Sequence, residues 1–282
     1  MNNPLVSIIV PCYNYAHYLG LTLENIRTQE YQHWECLIID DGSTDDTSSV
    51  AALFVKADGR FRYLHQSNRG LSAARNYGLA ESRGVYIQFL DSDDFIHSAK
   101  IAKQVAILEA DKEIDITYGK SFFFFDDNLS ELYPTRKKSG ASPKKNLQVN
   151  GRGKAVLGKL LINNIMEVSC ALLKKELTKK VGFFDESFKS WGAEDIDLAY
   201  RLHVNGTRFV LGRTAKSIHY PHHKSYQTNM SDAKKNYQYF SKKYEKRVCS
   251  LVPDNHFFRI NDIILNNPEY YIKQSQDGYQ YL

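Results

Sequence analysis

Gly84-Val85-Tyr86-Ile87-Gln88-Phe89-Leu90-Asp91-Ser92-Asp93-Asp94-Phe95 sets a mostly apolar run directly before three carboxylates. The run from Val85 to Leu90 is short, rich in β-branched and aromatic residues and opened by a glycine, so it reads as a buried strand. Carboxylates at the carboxyl end of such a strand stand where open α/β sheets bind their ligands. Hard oxygen donors packed this closely suit Mg2+ or Mn2+, ions commonly shared with phosphates. Asp and Ser also favour plain turns and helix caps, so the stretch takes its meaning from the rest of the chain.

Toward the amino terminus the same grammar repeats. Val6 to Val10 is an apolar run closed by Pro11, and Tyr13-Asn14-Tyr15 turns the chain into a helix marked by Leu19, Leu23 and Ile26. Trp34 to Ile39 reads as a second strand ending in Asp40-Asp41-Gly42-Ser43-Thr44, where Ser43 or Thr44 can cap the next helix. Phe61 to Leu64 is a short third strand, followed by Asn68-Arg69-Gly70 and a helix from Leu71 to Glu81. Strands alternating with helices predict a mostly parallel sheet with crossover helices. In a parallel sheet the strand ends share one edge, so Asn14, Asp40/Asp41 and Asp91/Asp93 converge on one crevice.

Toward the carboxyl terminus the alternation loosens. A helix through Ile101, Val105 and Leu108 is expected, then strands at Ile114 to Tyr118, Val168 to Leu173 and Ala215 to Ile218. Phe122 to Phe125 reads as core, and the polar, basic stretch from Leu129 to Val149 as a loop. The chain after residue 228 changes character: Asp232 to Val248 is Lys- and Tyr-rich with helical spacing, and a second helix is expected at His256 to Leu265. This divides the chain into a catalytic unit, 1–228, and a helical extension, 229–282, expected to dock on that unit.

Bulk properties narrow the function classes. The 282 residues are 43% hydrophobic and 24% charged, the values of an ordinary globular protein. The net charge of +5 is too small to point to nucleic acid, but eight basic residues and no acidic one fall between Glu131 and Glu167. That segment is a candidate for contact with an anionic acceptor or a membrane surface. The four widely spaced cysteines carry no C-x-x-C pair and suit a reducing compartment. No apolar run approaches the ~20 residues of a membrane span, so a cytoplasmic protein, at most at the inner face of the membrane, is expected. Gly153 to Lys159 mimics a phosphate-binding loop, but Leu160 stands where that motif needs Ser or Thr. No G-x-G-x-x-G follows a strand, which removes the dinucleotide-binding class.

Two further constellations carry chemistry. Trp191-Gly192-Ala193-Glu194-Asp195 precedes a helical face formed by Ile196, Tyr200 and Val204. The helix dipole favours acidic residues at that position, and a carboxylate at a crevice mouth can also serve as a general base. Trp191 offers a flat apolar surface suited to a sugar. His219, His222 and His223 bring three imidazoles within five residues, and neutral imidazole is a common metal ligand.

Together, Val6 to Asn14, Asp40-Asp41-Gly42-Ser43, Asn68 to Asn76, Leu90 to Asp94 and Glu194-Asp195 resemble the family-two inverting glycosyltransferases of GT-A fold. The segment Phe184-Asp185-Glu186 through Asp195 is also similar to the galactosyltransferase and chondroitin-polymerase type modules. The resemblance covers roughly residues 4 to 225 and rests on five motifs in order. It implies an α/β, Rossmann-like nucleotide-diphospho-sugar transferase fold using a UDP-sugar and Mn2+ or Mg2+. It also implies an acceptor that is a glycan, lipid-linked or other glycoconjugate. Pro11 and Tyr13 would then border the base, with Asp41 or Asp40 accepting a hydrogen bond from it, and Asn14 and Asn68 would lie in the same nucleotide site. Arg75 would approach the phosphates, Asp91 the ribose or sugar, Trp191 the donor, and Asp93 the metal together with His219 or His222. Asp195 would be the general base and Glu194 a donor or acceptor contact. A sugar-nucleotide nucleotidyltransferase, which would lack a use for Glu194-Asp195, and a non-catalytic glycan-binding or assembly subunit that keeps the fold are the rival expectations.

Overall fold

The computed structural model describes residues 3–123, 142–143, 150–152, 168–189, 192–219, 232 and 235–244. The first half alternates β1 (Val6–Cys12), α1 (Ala16–Arg27), β2 (Trp34–Asp40), α2 (Thr47–Ala57), β3 (Phe61–His65), α3 (Leu71–Glu81) and β4 (Tyr86–Phe89). These strands are all parallel, with β1 between β2 and β4 and β3 outside β2. The chain therefore moves outward from β1 on one side and returns to its other side at β4, which makes the β1/β4 boundary a topological switch point. The registers Cys12↔Asp40 and Ile9↔Phe89 bring the carboxyl ends of β1, β2 and β4 to one edge.

The second half turns the sheet mixed. It contributes β5 (Phe95–Ile96), α4 (Lys100–Ala110), β6 (Ile116–Phe123), β7 (Ser142–Pro143), β8 (Ala171–Lys174), α5 (Lys175–Val181), α6 (Glu194–Val204) and β9 (Phe209–His219). The order across the sheet is β3-β2-β1-β4-β8-β6-β9-β5, with β7 on β6. Strand β8 runs antiparallel to both β4 and β6, whereas β6 and β9 are parallel. A further helix, α7, spans 235–244.

Helices cover both faces, which explains the unbroken apolar runs of β1 and β2. Ile9, Leu37, Ile39, Ile87 and Phe89 pack toward α3, α5 and α6. Their strand neighbours Ile8, Val10, Cys36, Ile38 and Tyr86 pack toward α1, α2 and α4 on the other face. Gly84, which opens the decisive stretch, is required by contact: a Cβ there would come within 2.6 Å of the Ser7 nitrogen. Cys12, Cys36 and Cys170 are buried and form no disulfide. Among the described residues no helix is long and apolar enough to cross a membrane.

Three local expectations change. Strand β1 runs through Pro11 to Cys12, because pairing with β4 stops at Ile9 and the proline meets the sheet on one side only. Val168–Cys170 is a 3-10 turn rather than strand. Its carbonyls are taken by side chains, Gln88 Nε2 donating to Ser169 O at 3.0 Å and Gln104 Nε2 to Cys170 O at 3.0 Å. Ser43 and Thr44 do not cap α2, which begins at Thr47 with Asp46 before it; they serve the crevice instead. Phe124, Phe125, the loop from Leu129 and the helix expected at His256 lie outside the described residues.

Lys100 is fully buried and donates to Gln88 Oε1. Burial pushes its ammonium down to about 7, against an ordinary value of about 10.4. Between those pH values the unfolded chain binds the extra proton, so stability rises with pH through that window. Urea unfolding at pH 7 and at about pH 9 should show this rise in the wild type and its loss in Lys100→Met. An identical pH slope in both proteins would show that Lys100 is charged in its niche.

Candidate active site

The loops after β1, β2 and β3 are wired together by short polar side chains. Asn14 turns the chain after β1 with a positive φ of 58°. Its side-chain oxygen accepts from the Thr44 N–H at 2.8 Å, and its own N–H donates to Ser43 Oγ at 2.9 Å. Asp40 is buried and accepts from the Ser43 N–H at 2.8 Å and the Tyr63 hydroxyl at 2.5 Å. Asp41 accepts from Gln66 Nε2 at 2.6 Å and from the backbone N–H groups of Arg69 and Gly70 at 2.9 and 2.8 Å. It thereby folds the β3–α3 loop over the tip of β2. Gly70 has φ 94°, and a Cβ on it would stand 2.4 Å from Lys189 O. Pro11 is buried at the floor, Asn68 is exposed on the loop, and Tyr13 is 47% exposed at the mouth. The Tyr13 ring is thus an accessible aromatic face beside buried acceptors.

The three carboxylates of the decisive stretch divide their work. Thr22 Oγ1 on α1 donates to Ser92 O at 2.9 Å and to Asp94 O at 3.2 Å. Asp94 is 3% exposed and accepts from Ser169 Oγ at 2.7 Å. It turns into the protein and fixes the loop from below. Asp91 and Asp93 remain partly exposed at the crevice. Thr22 and Ser169 were not legible as site residues: isolated hydroxyls carry no motif, and they reach the loop across 70 and 75 residues of chain.

The opposite wall is the start of α6. Gly192 and Ala193 both take positive φ, 108° and 67°, so the chain enters the helix through a left-handed step that alanine adopts only under constraint. Glu194, Asp195 and Asp197 fill the first turn, where the helix dipole favours negative charge. Glu194 is buried and Asp195 partly exposed.

Arg75 joins the two walls. Its guanidinium, 1% exposed, donates to Asp91 Oδ1 at 2.8 Å and to Glu194 Oε1 at 2.9 Å. Burial works against its charge, but the two carboxylates outweigh that and hold its pKa above the ordinary arginine value. The Phe184 ring lies 5.3 Å from its central carbon. Arg75 Nε and Glu194 Oε2 are buried with no hydrogen-bond partner among the described residues. Sequence reasoning brought Arg75 to the crevice but gave no sign that two carboxylates hold it.

Trp191 and His222 lie outside the described residues. For His219 the backbone is described: it ends β9, one step beyond the antiparallel pair Phe95↔Ile218. That register carries it back to the level of the Asp91–Asp94 loop. Among the described residues no group of three His, Cys, Asp or Glu side chains forms a closed metal site. Asp93, partly exposed at the strand tip, is a hard oxygen donor of the kind that fits an ion sharing its coordination with a ligand's phosphates.

Comparison with known proteins gives the fold and site a family. The model of the glycosyl transferase family 2 matches residues 7–182, more than half of the chain. A Haemophilus influenzae protein described as an uncharacterized glycosyltransferase is 39% identical over 140 residues, 49% of this chain and 56% of that one. The Streptococcus pneumoniae glycosyltransferase GlyG is 35% identical over 130 residues, 46% of this chain and 42% of that one. The chain thus matches about half the length of these relatives. Among solved structures, the Pyrobaculum calidifontis mannosyltransferase PcManGT, in complex with GDP-Man and Mn2+, has a TM-score of 0.66 at 18% identity. The match covers 100% of this chain and 77% of that one. S. aureus TarS 1–349 in complex with UDP gives 0.61 at 19% identity, covering 82% and 65%. The fold is that of the GT-A nucleotide-sugar transferases, an enzyme class. This chain belongs to glycosyl transferase family 2.

Removing Arg75 strands a buried Glu194 carboxylate. Arg75→Met should cost about 3 kcal/mol in urea unfolding, the range for breaking one side of a buried ion pair. Adding Glu194→Gln should recover part of the loss, since the stranded charge goes with it. A double variant no more stable than Arg75→Met alone would mean that lost packing, not charge, causes the defect.

Proposed function

We propose that this protein is a metal-dependent inverting glycosyltransferase. It moves a sugar from a UDP-sugar to a hydroxyl of a glycan or glycoconjugate acceptor, in surface polysaccharide or glycoconjugate synthesis. The observation that carries the reading is the Arg75 bridge, which sets the strand-tip carboxylate Asp91 and the helix-start carboxylate Glu194 on one buried cation. A donor seated at the strand tips would then have the Glu194–Asp195 turn across from it. The solved neighbours support the donor class: TarS has been captured with UDP and PcManGT with GDP-Man and Mn2+.

In this reading Tyr13, above Pro11 and Asn14, offers its exposed ring to the base. Asp41 (or Asp40) presents an acceptor to the base, and Asn68 lines the same site. Arg75, already neutralised by two carboxylates, orders Asp91 against the ribose or sugar rather than acting as a free phosphate ligand. Asp93, with His219 or His222, would hold Mn2+ or Mg2+, which when bound supplies positive charge to the departing diphosphate. Trp191 would pack on the sugar, and Glu194 would contact a donor or acceptor hydroxyl. The acceptor oxygen attacks the anomeric carbon, its proton passes to the Asp195 carboxylate, and the carbon–oxygen bond to the diphosphate breaks. One direct displacement inverts the centre.

Asp195→Asn should lower transfer by at least about 100-fold, the lower range for a lost general base, while leaving UDP affinity unchanged by calorimetry. Loss of UDP binding in that variant would remove Asp195 from the base role. Thermal unfolding with UDP and Mn2+ should show stabilisation by mass action, largely reversed by chelator and largely absent in Asp93→Ala. Stabilisation by GDP instead would keep the class and overturn the donor.

A further inference from the structure

Helix α7 closes over the segment that carries Glu194 and Asp195. Lys243 Nζ lies 2.8 Å from Asp185 Oδ2 and 2.7 Å from Asp197 Oδ1. Those carboxylates stand at the two ends of the segment 185–197, so one ammonium pins both ends. Asp185 also accepts from the Tyr239 hydroxyl at 3.0 Å. Asp197, fully buried, also accepts from the Tyr244 hydroxyl at 2.8 Å and Arg201 Nε at 2.8 Å.

The apolar side of the same contact is continuous. Phe240 and Tyr244 of α7 pack with Phe188, Ala193, Ile196 and Tyr200, residues that lie just before and just after the Glu194–Asp195 pair. The Asp197 N–H donates to Ala193 O at 2.8 Å. Ala193 is the residue held at positive φ directly before Glu194. Fixing Asp197 therefore fixes the left-handed step that aims the helix start. Burial disfavours the Lys243 ammonium, but the hydrogen bonds it donates to Asp185 and Asp197 outweigh this and raise its pKa; it is charged throughout the physiological range.

We infer that Lys243 is a positioning residue: by bridging Asp185 and Asp197 it holds the Glu194–Asp195 turn in register with the strand-tip loops. The extension is then a working part of the catalytic unit rather than an appendage. The inference rests on the reading of Glu194–Asp195 as the base side of the site; Lys243 itself donates to Asp185 and Asp197.

The test uses the full chain with Lys243→Met, which keeps the stem beside the Phe188 and Tyr239 rings, and with Lys243→Arg. In Lys243→Met, hydrogen exchange should accelerate at residues 194–198 and not in β1, β2 or β4. Transfer kcat should fall by about 100-fold, as expected for a misplaced catalytic group, with UDP affinity in Mn2+ unchanged. Lys243→Arg should restore both. Unchanged exchange at 194–198 in folded Lys243→Met, or equal losses in kcat and UDP affinity, would overturn the inference. Should Lys243→Met fail to fold, Asp185→Asn releases one end of the bridge and carries the same expectation in the same direction. A wild type that transfers no sugar from any nucleotide donor would refute the glycosyltransfer reading. The exchange measurement would still judge the bridge.

Discussion

A guanidinium that has lost its water must be paid for with carboxylates, and in this fold that requirement organises the site. Arg75 sits on α3, beneath the crevice, with almost no solvent contact. Its two partners come from different halves of the chain, Asp91 16 residues away and Glu194 119 away. Removing a partner from such a pair is far more costly than a surface ion pair is worth. The parallel first half and the mixed second half are thereby obliged to meet at one geometry.

Around that bridge the acidic residues fall into two groups. Asp40, Asp41 and Asp94 are buried and spend their oxygens on loops: Asp40 on the turn after β2, Asp41 on the β3–α3 loop, Asp94 on Ser169. Asp91, Asp93 and Asp195 keep partial exposure at the crevice. Buried carboxylates that accept backbone N–H groups rigidify loops that would otherwise be mobile, and rigid loops are what a site needs in order to act without reorganising. The buried three thus hold loops, while the partly exposed three face the crevice.

Much of this was legible in the sequence because its signals are local. The runs Val6 to Val10 and Trp34 to Ile39, the helix from Leu71 to Glu81 and the polar ends of the strands each follow from a few neighbouring residues. Their convergence on one edge follows from parallel pairing alone. What escaped depends on distant partners. Nothing near Val168 says that Gln88 and Gln104 will take its turn's carbonyls, nothing near Arg75 names Glu194, and Pro11 reads as a strand end unless the early stop of β4 is known. Ser43 and Thr44 were placed at the right turn but given a capping role, whereas Asn14, across 30 residues, claims them for the crevice.

The two walls are built to different rules. The first wall is a set of loops between consecutive parallel strands, cross-linked to one another by Asn14, Ser43, Asp40 and Asp41, so its shape follows from the sheet. The helix-start wall is the first turn of α6, whose apolar side packs on the sheet. It begins at a left-handed alanine and is held by Arg75 in front and by the Asp197 cluster behind. Backbone in that conformation persists only where its surroundings over-determine it. The two anchors are charged and both reach α6 from distant chain, one from α3 and one from α7. A wall fixed by long-range charge can be reshaped through its anchors while the loops after β1 and β2 stay as the sheet sets them.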